Sequence, residues 1–174
     1  MDLCGRLLGK ADGRIEAGEA RPLTNLNVRV GKCTSIGYYR DNNEDRYFVD
    51  SDQRLFIVAD GMGGQAAGEQ ASQLAVDMVS EKLVAMPHAL DDPGEIRRNV
   101  TQAVVAANSA ILAQGIADPA VQNMGTTIVV AVLQGGRGYV AHLGDSRAYL
   151  LRNHELHPVT TDHSMAQEIG RAHV

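Results

Sequence analysis

The stretch Phe56-Ile57-Val58-Ala59-Asp60-Gly61-Met62-Gly63-Gly64 decides how this chain is read. An apolar, β-rich run delivers one carboxylate into a turn that holds three glycines. Ending a buried strand on Asp-Gly-x-Gly-Gly leaves a fixed anion where backbone can approach closely. That arrangement suits a hard divalent cation held by oxygen ligands. Just upstream, Tyr47-Phe48-Val49 and Leu55 to Ala59 read as a pair of strands joined through residues 50–53. Downstream, Ala71, Leu74, Ala75, Met78, Val79 and Leu83 recur at helical spacing, with Pro87 beyond the end.

Further out, a second helix has its own start signal: Asp92 as N-cap, Pro93 at the first position and Glu95 reaching back. Its apolar face is Ile96, Val100, Ala103, Val104, Ala107 and Ile111, fading at Gly115. Thr126 to Leu133 is a β-branched run, Gln134-Gly135-Gly136-Arg137 a turn, and Tyr139 to Leu143 the returning strand. Ala148 to Leu151 is expected to extend that sheet, and Asn25 to Ser35 alternates as another strand. Strands, two helices and strands again, with hairpin-length links, predict an α+β fold: antiparallel sheets with helices packed outside.

Composition sets the class. At 174 residues there is room for one domain with a real core. A net charge of −5 argues against nucleic acid or an anionic membrane as partner. No apolar run was expected to approach a membrane span, the longest being Ile128 to Leu133, and the start of the chain lacks a signal-peptide core. Cys4 and Cys33 read as free thiols of a reducing cytoplasm. Residues 1–23 read as a mobile leader, 24–167 as the domain, and 168–174 as a separate tail.

Five blocks carry the chemistry: Arg40 to Asp45, Asp60 to Gly64, Gly125-Thr126-Thr127, Gly144-Asp145-Ser146-Arg147, and Thr161-Asp162-His163-Ser164. Asp60 is the candidate bridging carboxylate, because a strand end and a glycine turn hold it rigidly. Gly61 is poised to offer its carbonyl. Glu44 and Asp45 are adjacent, so on extended backbone they diverge to opposite faces, and only one can face a centre directly. Arg40 has the planar fork that captures a phosphate bidentately. Asp145 and Arg147 read as supports that hydrogen-bond beneath the site, and Gly125, Thr126 and Thr127 as packing at a strand start, not catalysis. Asp162 or Ser164 reads as a helix cap. His163 is either a general acid or, preferably, structural; His142 reads as a core histidine, and His88, His154 and His157 as surface residues.

In this order and spacing the five blocks resemble the metal-dependent (PPM, type 2C) serine/threonine protein phosphatases of bacterial type, from about Asn25 to Gln167. The resemblance implies a sandwich of two antiparallel β-sheets flanked by helices. It implies two Mn²⁺ or Mg²⁺ ions, with Asp60 bridging both, Gly61 binding through its carbonyl, Glu44 and Asp45 serving the centre, and Arg40 binding phosphate. Gly63, Gly64, Gly125, Thr126, Asp145, Ser146, Arg147 and Asp162 would support it. The expected partners are phosphorylated proteins made by a serine/threonine kinase, and the expected state is a monomer.

The chain departs from that pattern in three places. Met62 stands where some members carry a proton-donating histidine. Gln122 stands where an aspartate often helps bind a third, weaker metal. The family's later Asp-Gly and Asp-Asn strands are not in the sequence, so the fold is expected to be incomplete at the C-terminus and this chain weakly active or inactive. The alternative is a short form acting as a binding or regulatory module. The heptapeptide Glu168 to Val174 matches the translation of a common short-read sequencing adapter, and is expected to be non-native.

Overall fold

The computed structural model describes residues 28–163, leaving aside 51, 53, 64–65 and 86–91. The leader 1–23, the tail 168–174, and Cys4, Gly64, His88 and Ser164 therefore lie outside the described residues. Two hairpins build the main sheet. Strands β1 (Asp45–Asp50) and β2 (Leu55–Met62) run antiparallel, then helices α1 (Ala66–Val84) and α2 (Pro93–Ala117) follow. After a 3-10 turn, Pro119–Val121, come β3 (Gly125–Thr126), β4 (Ile128–Gln134) and β5 (Arg137–Leu143). The order is β1-β2-β4-β5, with β3 paired to the end of β2.

Period-two alternation decides which face of this sheet is covered. Leu55, Ile57 and Ala59 of β2 are buried, as are Ile128, Val130 and Val132 of β4. They pack against Ala71, Ala75, Val79 and Leu83 of α1 and Ile96, Val100 and Ala103 of α2. Truncating a wholly buried side chain such as Leu83 to alanine costs on the order of 2–5 kcal/mol. The intervening residues point to the other face, where Val58 is 47% and Tyr47 37% exposed.

Helix α2 is better anchored at its start than at its charges. Asp92 accepts from the backbone of Gly94 (2.8 Å) and Glu95 (3.2 Å), as an N-cap should. Glu95 does not reach back to complete a capping box; its carboxylate pairs with Arg98 one turn on. The helix continues two residues past Gly115 and ends where the Asp118 amide bonds to Gln114 O. Contrary to the sequence expectation, α2 is long and apolar enough to cross a membrane by length and composition alone. Its apolar stripe is spent inside this core instead, against α1 and the sheet.

The β4–β5 hairpin closes on Gly135 (φ 58°) and Gly136 (φ 74°), two consecutive left-handed residues that match strand twist and favour glycine. Two sequence expectations give way. Residues 148–151 do not extend the main sheet: β6 (Tyr149–Arg152) pairs only with β7 (Glu155–Pro158), closing on Asn153 and His154 at φ 53° and 65°. Of the strand expected over 25–35, residues 28–35 pair with no strand among the described residues, and 25–27 lie outside them.

Candidate metal centre

The site lies at the end of β2, on the face of the sheet that the helices leave open. Asp60 stands directly opposite Asp45 on β1. Its carboxyl is held above its ordinary value, first by burial, then by the negative charges of Asp45 and Asp145 and a side-chain hydrogen bond with Asp45; Arg40 opposes this. Asp145, read from sequence as a brace beneath the site, is exposed on the turn after β5 and its charge reaches Asp60. Three carboxylates are thus brought to one edge from positions 45, 60 and 145.

Glu44 and Asp45 diverge as an extended backbone requires. Asp45 faces Asp60, while Glu44 turns towards the start of α1 and is not among the groups acting on Asp60. The Glu44 side chain is only 9% exposed and pairs with Arg40, whose Nη1 lies 3.3 Å from Oε2. The Arg40 side chain is itself 72% exposed, so its remaining donors face solvent. Asn43 shapes this loop: its Oδ1 accepts from the Asp45 amide (3.0 Å) and its Nδ2 donates to Thr34 Oγ1 (2.8 Å).

Gly61 is dictated by close approach. A Cβ there would sit 2.0 Å from the carbonyl oxygen of Gly68 and 2.9 Å from that of Glu44. The first turn of α1 therefore presses backbone against backbone onto the strand end, with the Gly61 amide donating to Glu44 O at 3.2 Å. Ser72 of α1 donates to the same carbonyl at 2.5 Å. Arg46 ties the loop to α1 as well, with Nη2 at 2.5 Å from Glu69 and Nε at 2.8 Å from Gln73. Sequence reading missed Gly68, Ser72 and Arg46; the small residues at 68 and 72 on the α1 face were the available signal.

Of the expected supports, Gly63 takes φ 134° just past β2, and Gly125 and Thr126 pair with Met62 and Gly61. Ser146 Oγ lies 2.6 Å from Thr127 Oγ1. Arg147 grips Asp162 through two parallel bonds, Nε to Oδ1 at 2.8 Å and Nη2 to Oδ2 at 2.6 Å. These bonds hold the Asp162 carboxyl below its ordinary value. Both Asp162 oxygens accept from Arg147; the segment that Asp162 or Ser164 was expected to cap lies outside the described residues. His163 stacks on His142 with ring centroids 4.4 Å apart, and His142 Nε2 is 2.8 Å from Thr161 O.

A groove of about 450 Å³ runs beside the carboxylates, lined among others by Lys32, Tyr47, Val58 and Ser146. The donor set is all oxygen, which suits Mg²⁺ or Mn²⁺ and not a soft thiolate metal. A cation would relieve the mutual repulsion that raises Asp60. Among the described residues, however, no three His, Cys, Asp or Glu side chains close into a finished cage.

Residues 39–170 match the protein phosphatase 2C family. The chain is 42% identical over 146 residues to the serine/threonine protein phosphatase PstP of Mycobacterium tuberculosis, covering 83% of this chain and 27% of that protein. It is 38% identical over 141 residues to the serine/threonine phosphatase stp of Listeria monocytogenes, covering 79% of this chain and 56% of that protein. Among solved structures, the catalytic domain of PstP in complex with two manganese ions superposes with TM-score 0.67 at 39% identity, over 79% of this chain and 57% of that one. The serine/threonine phosphatase of S. agalactiae gives TM-score 0.73 at 33% identity, over 80% of this chain and 58% of that one. The chain thus spans little more than half of the solved catalytic chains it matches.

Proposed function

Because the chain belongs to the protein phosphatase 2C family, we propose that residues 24–167 belong to the catalytic domain of a metal-dependent protein phosphatase acting on phosphoserine and phosphothreonine. The observation that supports this reading is the meeting of Asp45, Asp60 and Asp145 at one strand end, with Asp60 raised first by burial and then by their charges. The relatives are serine/threonine phosphatases, which supports phosphoserine and phosphothreonine as the substrate class.

Asp60 and Asp45 would hold Mn²⁺ or Mg²⁺ through their carboxylates, and Gly61 through its carbonyl. Glu44 would act by orienting water or the Arg40 side chain. Two such ions, when bound, acidify water and neutralise charge on a phosphate. Arg40 contributes the cationic fork for the phosphate oxygens, and its exposure leaves that fork accessible. Met62, 60% exposed beside the site, has no proton to give a leaving alcohol. Among the described residues no hydrogen bond pairs a serine or cysteine with a histidine or carboxylate base, which fits direct attack by water rather than a covalent enzyme intermediate. The partners would be cytoplasmic phosphoproteins, met by a monomer.

The test is release of phosphate from a phosphothreonine peptide in a Mn²⁺ titration, with Asp60→Asn alongside. Metal-dependent release abolished by Asp60→Asn supports the reading. Release that survives Asp60→Asn sinks the metal assignment. Mn²⁺ binding without release favours the second reading, a binding module, which the open apolar face of the sheet also suits.

A further inference from the structure

We propose that Thr127 is a positioning residue for Asp60, acting through the Asp60 main chain. This rests on Asp60 being a metal ligand, as argued above. The register that pairs Val58 with Val129 and Gly61 with Thr126 puts Thr127 directly opposite Asp60. An antiparallel pair of this kind ordinarily exchanges two backbone bonds. Here only one is backbone: the Thr127 amide donates to Asp60 O at 2.9 Å. The other is made by the side chain, the Asp60 amide donating to Thr127 Oγ1 at 3.0 Å.

The Thr127 carbonyl is diverted, accepting instead from Thr126 Oγ1 at 2.8 Å. The same Thr126 hydroxyl lies 3.0 Å from Asp60 O. Both polar atoms of Asp60's backbone are therefore held by the Thr126-Thr127 pair at the break between β3 and β4. That is the one ladder position at which a hydroxyl substitutes for a carbonyl beside the candidate ligand.

The threonine hydroxyl is itself fixed. Thr127 is 7% exposed, and its Oγ1 lies 2.6 Å from Ser146 Oγ. Its methyl faces the turn after β5 so closely that only glycine fits there: a Cβ on Gly144, at φ 98°, would stand 2.8 Å from Thr127 Cγ2. Hydroxyl and methyl thus have separate partners, and the rotamer that satisfies both is the one that meets the Asp60 amide. Ser146 extends the line to the turn that carries Asp145. Outer partners of this sort orient metal ligands, and their loss weakens metal binding without touching the metal.

The experiment is a Mn²⁺ binding titration of the whole chain, read from free Mn²⁺ by its EPR signal. Thr127→Val keeps the shape and removes the hydroxyl; Thr127→Ser keeps the hydroxyl and removes the methyl. Affinity is expected to fall roughly 10–100-fold in Thr127→Val, and to be largely restored in Thr127→Ser. Amide exchange at Asp60 should quicken in the valine variant and not in the serine variant. A merely structural role would make serine, which opens a cavity, at least as damaging as valine. Unchanged Mn²⁺ affinity in Thr127→Val, with Asp60→Asn weakened, overturns this proposal alone. Unchanged affinity in Asp60→Asn overturns the metal reading and this proposal with it. If Thr127→Val does not fold, Ser146→Ala decides: weakened affinity supports the proposal and wild-type affinity overturns it.

Discussion

Asp45 and Asp60 stand directly opposite each other across β1 and β2, and beside its own burial the charge of Asp45 helps hold the Asp60 carboxyl above its ordinary value. A carboxyl whose folded pKa is raised holds its proton more tightly folded than unfolded. Its cost to stability is absent below the unfolded value of 3.8 and fully present above the raised value. In chelator, Asp60→Asn should therefore stabilise the protein at neutral pH and not in acid. Asp60 is only partly withdrawn from water, and solvent screens both the burial cost and the repulsion, so the gain is on the order of 0.5 kcal/mol, about 1–2 °C in melting midpoint. A lower midpoint than wild type at pH 7 would count against the repulsion.

Arg40 has most of its side chain in solvent and, among the described residues, pairs with the carboxylate of Glu44. In phosphopeptide hydrolysis, Arg40→Ala should raise KM about tenfold and move kcat less, since a charge-assisted contact of about 1.4 kcal/mol is made before the transition state. A changed kcat at constant KM would remove Arg40 from phosphate binding.

Gly61 and Gly31 separate crowding from composition. At Gly61 an added methyl meets backbone at 2.0 Å; at Gly31 it meets nothing within 4 Å. Gly61→Ala should cost at least about 3 kcal/mol because neither the strand end nor α1 can retreat cheaply. Gly31→Ala should be within about 0.5 kcal/mol of wild type. Urea melts of the two variants check this, and equal midpoints would refute the close approach of β2 and α1.

The Arg147–Asp162 fork fastens the segment after β7 to the turn after β5, beside the His163 amide that donates to Gly144 O at 2.9 Å. Since the Asp162 folded pKa is lowered, the stability it lends is fully present above 3.8 and lost as pH falls through the lower folded value. Arg147→Gln should lower the protection of the His163 amide at neutral pH, relative to its intrinsic exchange rate, to the level that wild type shows only in acid. Unaltered protection in the variant would show that the fork is dispensable.

The two main hairpins, both helices and the Asp92 cap were legible because each rests on local chemistry: period-two or helical spacing, a proline at the first helical position, paired glycines at the β4–β5 turn. The strand expected near residues 25–35 was not, since alternation specifies a face and no sequence pattern supplies a partner. The β6–β7 hairpin misled for the same reason. Its two central residues, Asn153 and His154, turn without glycine, so a short strand read as an extension of its neighbour.

At the site, the sequence by itself determined the chemistry: an oxygen donor at Asp60, a glycine turn behind it, an arginine four residues before Glu44. Tertiary structure alone decided which carboxylates act together. Backbone alternation said that Glu44 and Asp45 part, but only the pairing of β1 with β2 chose Asp45 to face Asp60, and only the turn after β5 brought Asp145 to them. The role of Thr127 was invisible for a sharper reason. Its hydroxyl matters because strand register sets it opposite Asp60 and Ser146 beside it, and register is a property of two segments 67 residues apart.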